Sequence, residues 1–319
     1  MNKSNKSSVK QFLSKNLMIV ILIGMCVLLS ILSPRFLQVK NILNILIQST
    51  TNGVIAVGMT FVIVTGGIDL SVGSIVALGC AIGAGFMRGG LPFPLGIVLM
   101  LLIGLAFGLA QGFLISYVKM PAFIATLGGM SIARGLTMVY LQGRTISGIP
   151  MSFQFLGNGY ILGVFPCAVV ILILIFALGY YVLQYTTFGR SVYALGGNRE
   201  ATQLSGINTK RVELMVYGIS GMMAGLGAVV LAARLGSAVP TAGEGMEMDA
   251  ISAVVIGGAS LAGGRGSVMG TLVGVLILGV LNNGMNLLNI DPFYDGVVQG
   301  AVILIAVFID AMKNRNETR

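Results

Sequence analysis

The chain has 319 residues, 56% of them hydrophobic and 9% charged, with a mean hydropathy of +0.95. A soluble domain carries about 25% charged residues, so this composition excludes a soluble enzyme or binding module and reads as a polytopic, all-α membrane protein. Histidine is absent, which removes imidazole catalysis and histidine metal sites, and the net charge of +9 reads as loop charge that orients the chain, with no nucleic-acid partner.

Residues 1–16 form a polar tail with Lys3, Lys6, Lys10 and Lys15, ahead of the apolar run Leu17–Leu32. A signal peptide has this order, but Ser33-Pro34-Arg35-Phe36 follows in place of a small-x-small cleavage site, so the run is expected to remain as a first membrane helix. Hydropathy marks ten segments: 17–33, 42–65, 69–86, 94–116, 122–140, 160–183, 213–235, 249–262, 268–288 and 294–312. Segment 249–262 is short for a hydrocarbon core of about 30 Å at about 1.5 Å per residue, so it is expected to be a half-helix or re-entrant. Residues 17–312 are expected to form one transmembrane domain, interrupted by a cytoplasmic loop over 184–212 and followed by a tail over 313–319. The 46 glycines suit helices that pack backbone to backbone in lipid, and Cys26, Cys80 and Cys167 read as packing residues with no metal role.

Charge orients these segments. With both termini cytoplasmic, 13 of the 19 basic residues fall inside, among them Arg190, Arg199, Lys210, Arg211 and Arg265. Arg35, Lys40, Arg88, Arg144 and Arg234 fall outside with Glu244, Glu247, Asp291 and Asp295, and Arg134 lies within a segment. This is the bias of the positive-inside rule, and it requires the chain to reverse near Gly66-Gly67 or one nearby segment to be re-entrant.

Two interruptions resemble each other, VTGGIDLSVGS (Val64–Ser74) and VIGGASLAGGRGS (Val255–Ser267). Glycine-broken segments at matching places in two halves hint at a duplicated transporter architecture. Polar residues inside the apolar segments are candidates for a translocation path. Gln48 and Asn52 are four apart, as are Asn282 and Asn286, with Asn283 adjacent. Gln111, Ser252 and Gln299 are further polar positions, and such side chains either line a path or bond helix to helix. Asp69, with Ser71 and Ser74, either faces the path or caps the next helix. Asp249 opens its segment, where the helix dipole favours a carboxylate, and Glu244, Glu247 and Asp249 offer charge to an external partner.

The polar run Tyr185–Glu213 cannot sit in lipid. Within it, Gly196-Gly197 is expected to break the preceding structure, Asn198 to act as an N-cap, Arg199–Ser205 to form a short helix with Glu200 in its first turn, and Gly206 to supply the left-handed C′ position. Ala201 and Leu204 share a face of that helix. A helix this short is marginal alone, so Arg190, Asn198, Arg199, Glu200, Ala201, Thr202, Leu204, Ser205 and Gly206 are read as a docking surface for a motor. The chain itself has no G-x-x-x-x-G-K-[ST] phosphate loop.

EATQLSG (Glu200–Gly206) is similar to the EAA-x-x-x-G loop of ABC importer permeases, with Thr202 in place of the second alanine and without the usual Leu-Pro downstream. With VTGGIDLSVGS, YALGGNREATQLSGIN, PTAGEGMEMDAISAVVIGGASLAGGRGS and LILGVLNNGMNLL, the chain from about residue 40 to 312 resembles the ribose-type sugar ABC permeases. The resemblance implies a homodimeric channel in the cell (inner) membrane, a cytoplasmic ATPase with two fused nucleotide-binding halves, and an extracytoplasmic sugar-binding protein. It implies no cofactor on this chain, ATP and Mg being used by the ATPase. The expected cargo is a monosaccharide, D-ribose first, with another sugar or an autoinducer-2-like molecule as alternatives. An ion-coupled carrier with Asp69 as coupling carboxylate is the rival class; an intramembrane enzyme is disfavoured, since no paired catalytic carboxylates share a segment.

Overall fold

The computed structural model describes residues 17–294, 296–298, 300, 301 and 304. Both expected tails, most of the segment at 294–312, Asp295 and Gln299 lie outside the described residues.

Among the described residues, each of the first nine expected segments contains a helix. These helices are α1 (Leu17–Leu32), α2 (Val39–Val64), α3 (Val72–Arg88), α4 (Phe93–Ser116), α5 (Ala122–Leu141), α7 (Cys167–Tyr185), α10 (Thr209–Leu235), α11 (Met246–Ile256) and α12 (Val268–Leu287). Between them lie α6 (Met151–Asn158), α8 (Thr187–Gly197) and α9 (Arg199–Leu204). Among the described residues, six helices are long and apolar enough to cross a membrane: α2, α4, α5, α7, α10 and α12.

Helix α2 is the axis of the bundle. The membrane-length windows of α2 and α10 are 83% and 72% buried, against 22% for α4 and for α5. The first pair therefore forms the interior and the second pair the rim. The most extensive helix pairing is α4 with α10, where Gly104 and Gly108 face Gly221 and Gly225, and Gly112 faces Leu214 and Tyr217. A methyl group at Gly225 would lie 2.6 Å from the Met100 carbonyl oxygen, so this backbone-to-backbone approach requires glycine.

Several boundaries depart from the hydropathy reading. Segment 160–183 begins as a small hairpin, β2 (Tyr160–Ile161) paired with β3 (Phe165–Pro166), and its helix starts only at Cys167. Leu162 and Gly163 take positive φ at the hairpin tip, so the apolar run turns before it enters the helix. A second two-strand pairing joins β1 (Ile146–Ser147) to β4 (Ser237–Ala238). Helix α10 starts at Thr209, capped by the Asn208 side chain accepting from Arg211 N at 3.0 Å, so Glu213 is helical and not part of a loop. Helix α11 has 11 residues and stops where Gly258 takes φ +91°. Residues 257–267 continue as irregular chain.

Candidate coupling loop and translocation path

The polar run from Tyr185 folds into two helices with one joint. Thr186 caps α8, its hydroxyl accepting from Gly189 N at 3.1 Å. Phe188, Val192 and Leu195 pack its inner side into the bundle, Phe188 lying near-parallel to Phe61 with ring centroids 6.3 Å apart. Asn198 then ends α8 and caps α9, its Oδ1 accepting from Ala201 N at 2.9 Å. Gly206 follows with φ +82°, the left-handed residue that closes a helix.

The faces of α9 divide the sequence candidates. Thr202 is buried and donates its hydroxyl to the Asn198 carbonyl at 2.7 Å. Arg199 turns back onto α10, where its Nη1 and Nη2 meet Glu213 Oε1 and Oε2 at 2.9 and 2.7 Å. These bonds hold the Arg199 guanidinium above its usual pKa and firmly charged. Arg190, Glu200, Ala201, Leu204 and Ser205 point outward, and Leu204 is 89% exposed. Leu204 is thus a large apolar side chain left exposed on a capped two-turn helix.

Behind α9 three glycine-rich stretches meet. The backbone of Gly196 lies against the Val64 carbonyl at the end of α2 and against Gly264 of the 257–267 chain. Gly264 N donates to Val64 O at 2.8 Å, and Tyr193 Oη donates to Gly266 O at 2.7 Å. The two look-alike interruptions of the sequence are thus joined to each other and to the end of α8. A methyl group at Gly196 would be driven into the Val64 carbonyl, whereas one at Gly197 would meet nothing within 4 Å.

Asp69 follows the α2 break but does not open onto a cavity. It is fully buried, Oδ1 accepting from Ser71 N at 3.0 Å and Ser71 Oγ at 2.6 Å, and Oδ2 from Ser220 Oγ at 2.7 Å. The Ser71 hydroxyl has one proton, given to Asp69; Gln111 Oε1 lies 3.0 Å away, and Gln111 Nε2 has no partner in the protein. Turned about its amide, Gln111 donates Nε2 to Ser71 while the Ser71 proton goes to Asp69, and Oε1 takes the unpartnered position. Asp69 therefore pins the α2–α3 joint to α4 and α10. Ser74 is buried in α3.

Three of the path candidates and one of the neighbouring carboxylates behave differently. Gln48, Asn52, Asn282 and Asp249 line one cavity of about 50 Å³ between α2, α11 and α12, with Ser49 between the first two. Asn52 Nδ2 donates to Asp249 Oδ2 at 2.7 Å across it. Asn283 is turned away and buried, exchanging both amide bonds with Asn41 at 2.9 and 3.0 Å. Asn286 is exposed one turn further along α12, and Ser252 donates to the Met248 carbonyl.

Arg134, which lies within an apolar segment, donates its Nη1 to Pro240 O at 3.0 Å and Ala242 O at 2.8 Å and so ties α5 to the chain before α11.

The sequence that folds into this bundle has known relatives. Residues 41–307 match the sequence profile of a family described as branched-chain amino acid transport system / permease component. This chain belongs to that permease family. The permease is 50% identical over 290 residues to the ribose import permease RbsC of Bacillus subtilis, covering 90% of each chain. It is 46% identical to that of Haemophilus influenzae over 97% of each chain, and 33% identical to the xylose transport permease XylH of Escherichia coli over 99% of this chain. No solved structure matches it. With six helices of membrane length, the permease is a multi-pass membrane protein.

Proposed function

We propose that the permease is the membrane-spanning subunit of an ABC importer that carries ribose into the cytoplasm. The observation that carries this reading is the near full-length identity to ribose import permeases from three organisms, 44 to 50%. The partners follow from the same reading: a separate ATPase with two fused nucleotide-binding halves, an extracytoplasmic sugar-binding protein, and a second copy of the permease in the cell (inner) membrane. ATP and Mg belong to the ATPase.

Helix α9 is the coupling helix in this account. Glu200, Ala201, Leu204 and Ser205 face the ATPase, while Arg199 and Thr202 hold the helix to its own subunit. Closure of the motor displaces α9 and, through Asn198, the end of α8. Glycine contacts at Val64, Gly196 and Gly264 pass the displacement to both broken segments, because close-packed backbone cannot absorb it locally. A shift between two packed states then alternates access to the path.

The family description favours a second cargo, a branched-chain amino acid. The identities argue against it: 44 to 50% to ribose import permeases over nearly the full length of the chain. Proteoliposomes containing the permease, its cognate ATPase and its binding protein decide between them. Ribose uptake that requires ATP supports the proposal. Uptake of leucine without ribose, or uptake driven by an ion gradient with the ATPase omitted, refutes it.

A further inference from the structure

The cavity between α2, α11 and α12 has features that packing does not require. Asn52 is the fourteenth residue of α2, about 20 Å along the helix at about 1.5 Å per residue. This is deep within a core of about 30 Å, where an ionisable group is costly and marks a functional position. Asp249 nevertheless faces it. Ser49 Oγ and Asn52 Oδ1 are buried and have no hydrogen-bond partner in the protein, and Ser49 is only 5% exposed. Opposite Ser49 is Gly279, where any larger residue would strike the hydroxyl.

Resting on the importer reading, we propose that this cavity is the collapsed form of a sugar-hydroxyl site within the translocation path, with the Asn52–Asp249 hydrogen bond as its latch. About 50 Å³ holds one water at about 30 Å³, and a pentose is several times larger. The donor set matches a neutral polyol. A carboxylate accepts from two vicinal hydroxyls, carboxamides at Gln48, Asn52 and Asn282 both donate and accept, and Ser49 adds a hydroxyl. Opening therefore exchanges the Asn52–Asp249 bond for bonds to the passing sugar, and the two unpartnered atoms acquire partners at the same moment. A site whose polar groups pair with each other when empty closes without leaving a charge exposed to lipid. It also binds loosely, as a transit site must.

The test uses the complete reconstituted importer with ribose as the probe. Asp249→Asn is expected to lower ribose uptake at least about tenfold, the loss of hydrogen bonds to a charged acceptor, while ATP hydrolysis stimulated by the ribose-loaded binding protein stays within about twofold of wild type. Ser49→Cys, placed in a background with the three native cysteines (Cys26, Cys80 and Cys167) changed to serine, gives a second readout. A small, membrane-impermeant thiol reagent is expected to label it only during ATP turnover, and saturating ribose to slow that labelling at least about fivefold. Wild-type uptake in Asp249→Asn, or a Ser49→Cys that stays unlabelled while the transporter turns over, overturns the proposal. Protection by sodium but not by ribose overturns it as well, in favour of a cation site. If the wild-type assembly takes up no ribose at all, it is the importer reading that fails.

Discussion

Arg199 of the short helix α9 and Glu213 of the membrane helix α10 form a two-pronged ion pair, with nitrogen–oxygen distances of 2.9 and 2.7 Å. The pair fixes how α9 sits on the bundle. An importer that takes force from a separate motor needs this, because a coupling helix free to swivel would move without moving the membrane helices. The Arg199 side chain is 48% exposed, so its contribution to global stability is expected to stay below about 1 kcal/mol. Its effect is expected on coupling: Arg199→Ala retains membrane insertion and ATPase binding but lowers ribose transported per ATP hydrolysed at least about threefold. Exchanging the two residues, Arg199→Glu with Glu213→Arg, is expected to recover part of the loss. Measuring transport and hydrolysis on the same vesicles checks both.

Glu200 is exposed in the first turn of α9, where the helix dipole favours its charge by less than about 1 kcal/mol. Glu200→Ala is expected to leave the thermal unfolding midpoint within about 1 °C of wild type, an ordinary surface effect, and to weaken ATPase association at least about tenfold. Co-purification at graded salt measures that association. Unchanged association would remove α9 from the docking surface.

The glycine junction yields a paired prediction. Gly196→Ala forces a methyl group against the Val64 carbonyl and Gly264, whereas Gly197→Ala meets nothing within 4 Å. Both changes alter helix propensity alike, by about 1 kcal/mol in favour of alanine, so a difference between them reports the contact alone. Uptake is expected to fall at least about tenfold in Gly196→Ala and to change less than about twofold in Gly197→Ala. Equal behaviour of the two would show that the junction transmits nothing.

Asp69 is expected to be structural. Ser220→Ala removes the one donor to Asp69 Oδ2 and is expected to destabilise the fold by about 1.5–3 kcal/mol, the cost of a buried carboxylate losing a partner. Thermal unfolding in detergent measures it. A coupling carboxylate would instead respond through its ion: uptake would follow an imposed proton or sodium gradient, and Asp69→Asn would abolish that response.

The two-turn helix was legible in the sequence because its signals are local. Asn198 and Gly206 bracket it, and capping depends on residues a few positions apart. The preceding α8 went unread although Phe188, Val192 and Leu195 fall at helical spacing, because Gly189 and the polar Arg190 and Ser191 interrupt the apolar pattern. The start of α10 at Thr209 was missed for the same reason: Lys210, Arg211 and Glu213 look like loop until Glu213 is seen paired with Arg199. Segment 160–183 was misread because hydropathy counts apolar residues and does not sense a turn at Leu162-Gly163. Long-range relations were out of reach. The spacing of Gln48 and Asn52 placed them on one helix face, but only the fold brings Asp249, 197 positions away, against Asn52, and only the fold sets Asp69 among Ser71, Gln111 and Ser220 instead of in the path.

In the proposed importer, ATP hydrolysed on another chain drives ribose through this one by way of α9. Radiolabelled ribose uptake into proteoliposomes holding the permease, its ATPase and its binding protein, compared between wild type and Glu200→Ala, tests it most directly. ATP-dependent accumulation is expected in wild type, with a loss of at least about tenfold in the variant at equal permease content. Full accumulation by Glu200→Ala, or accumulation by wild type without the ATPase, would contradict it.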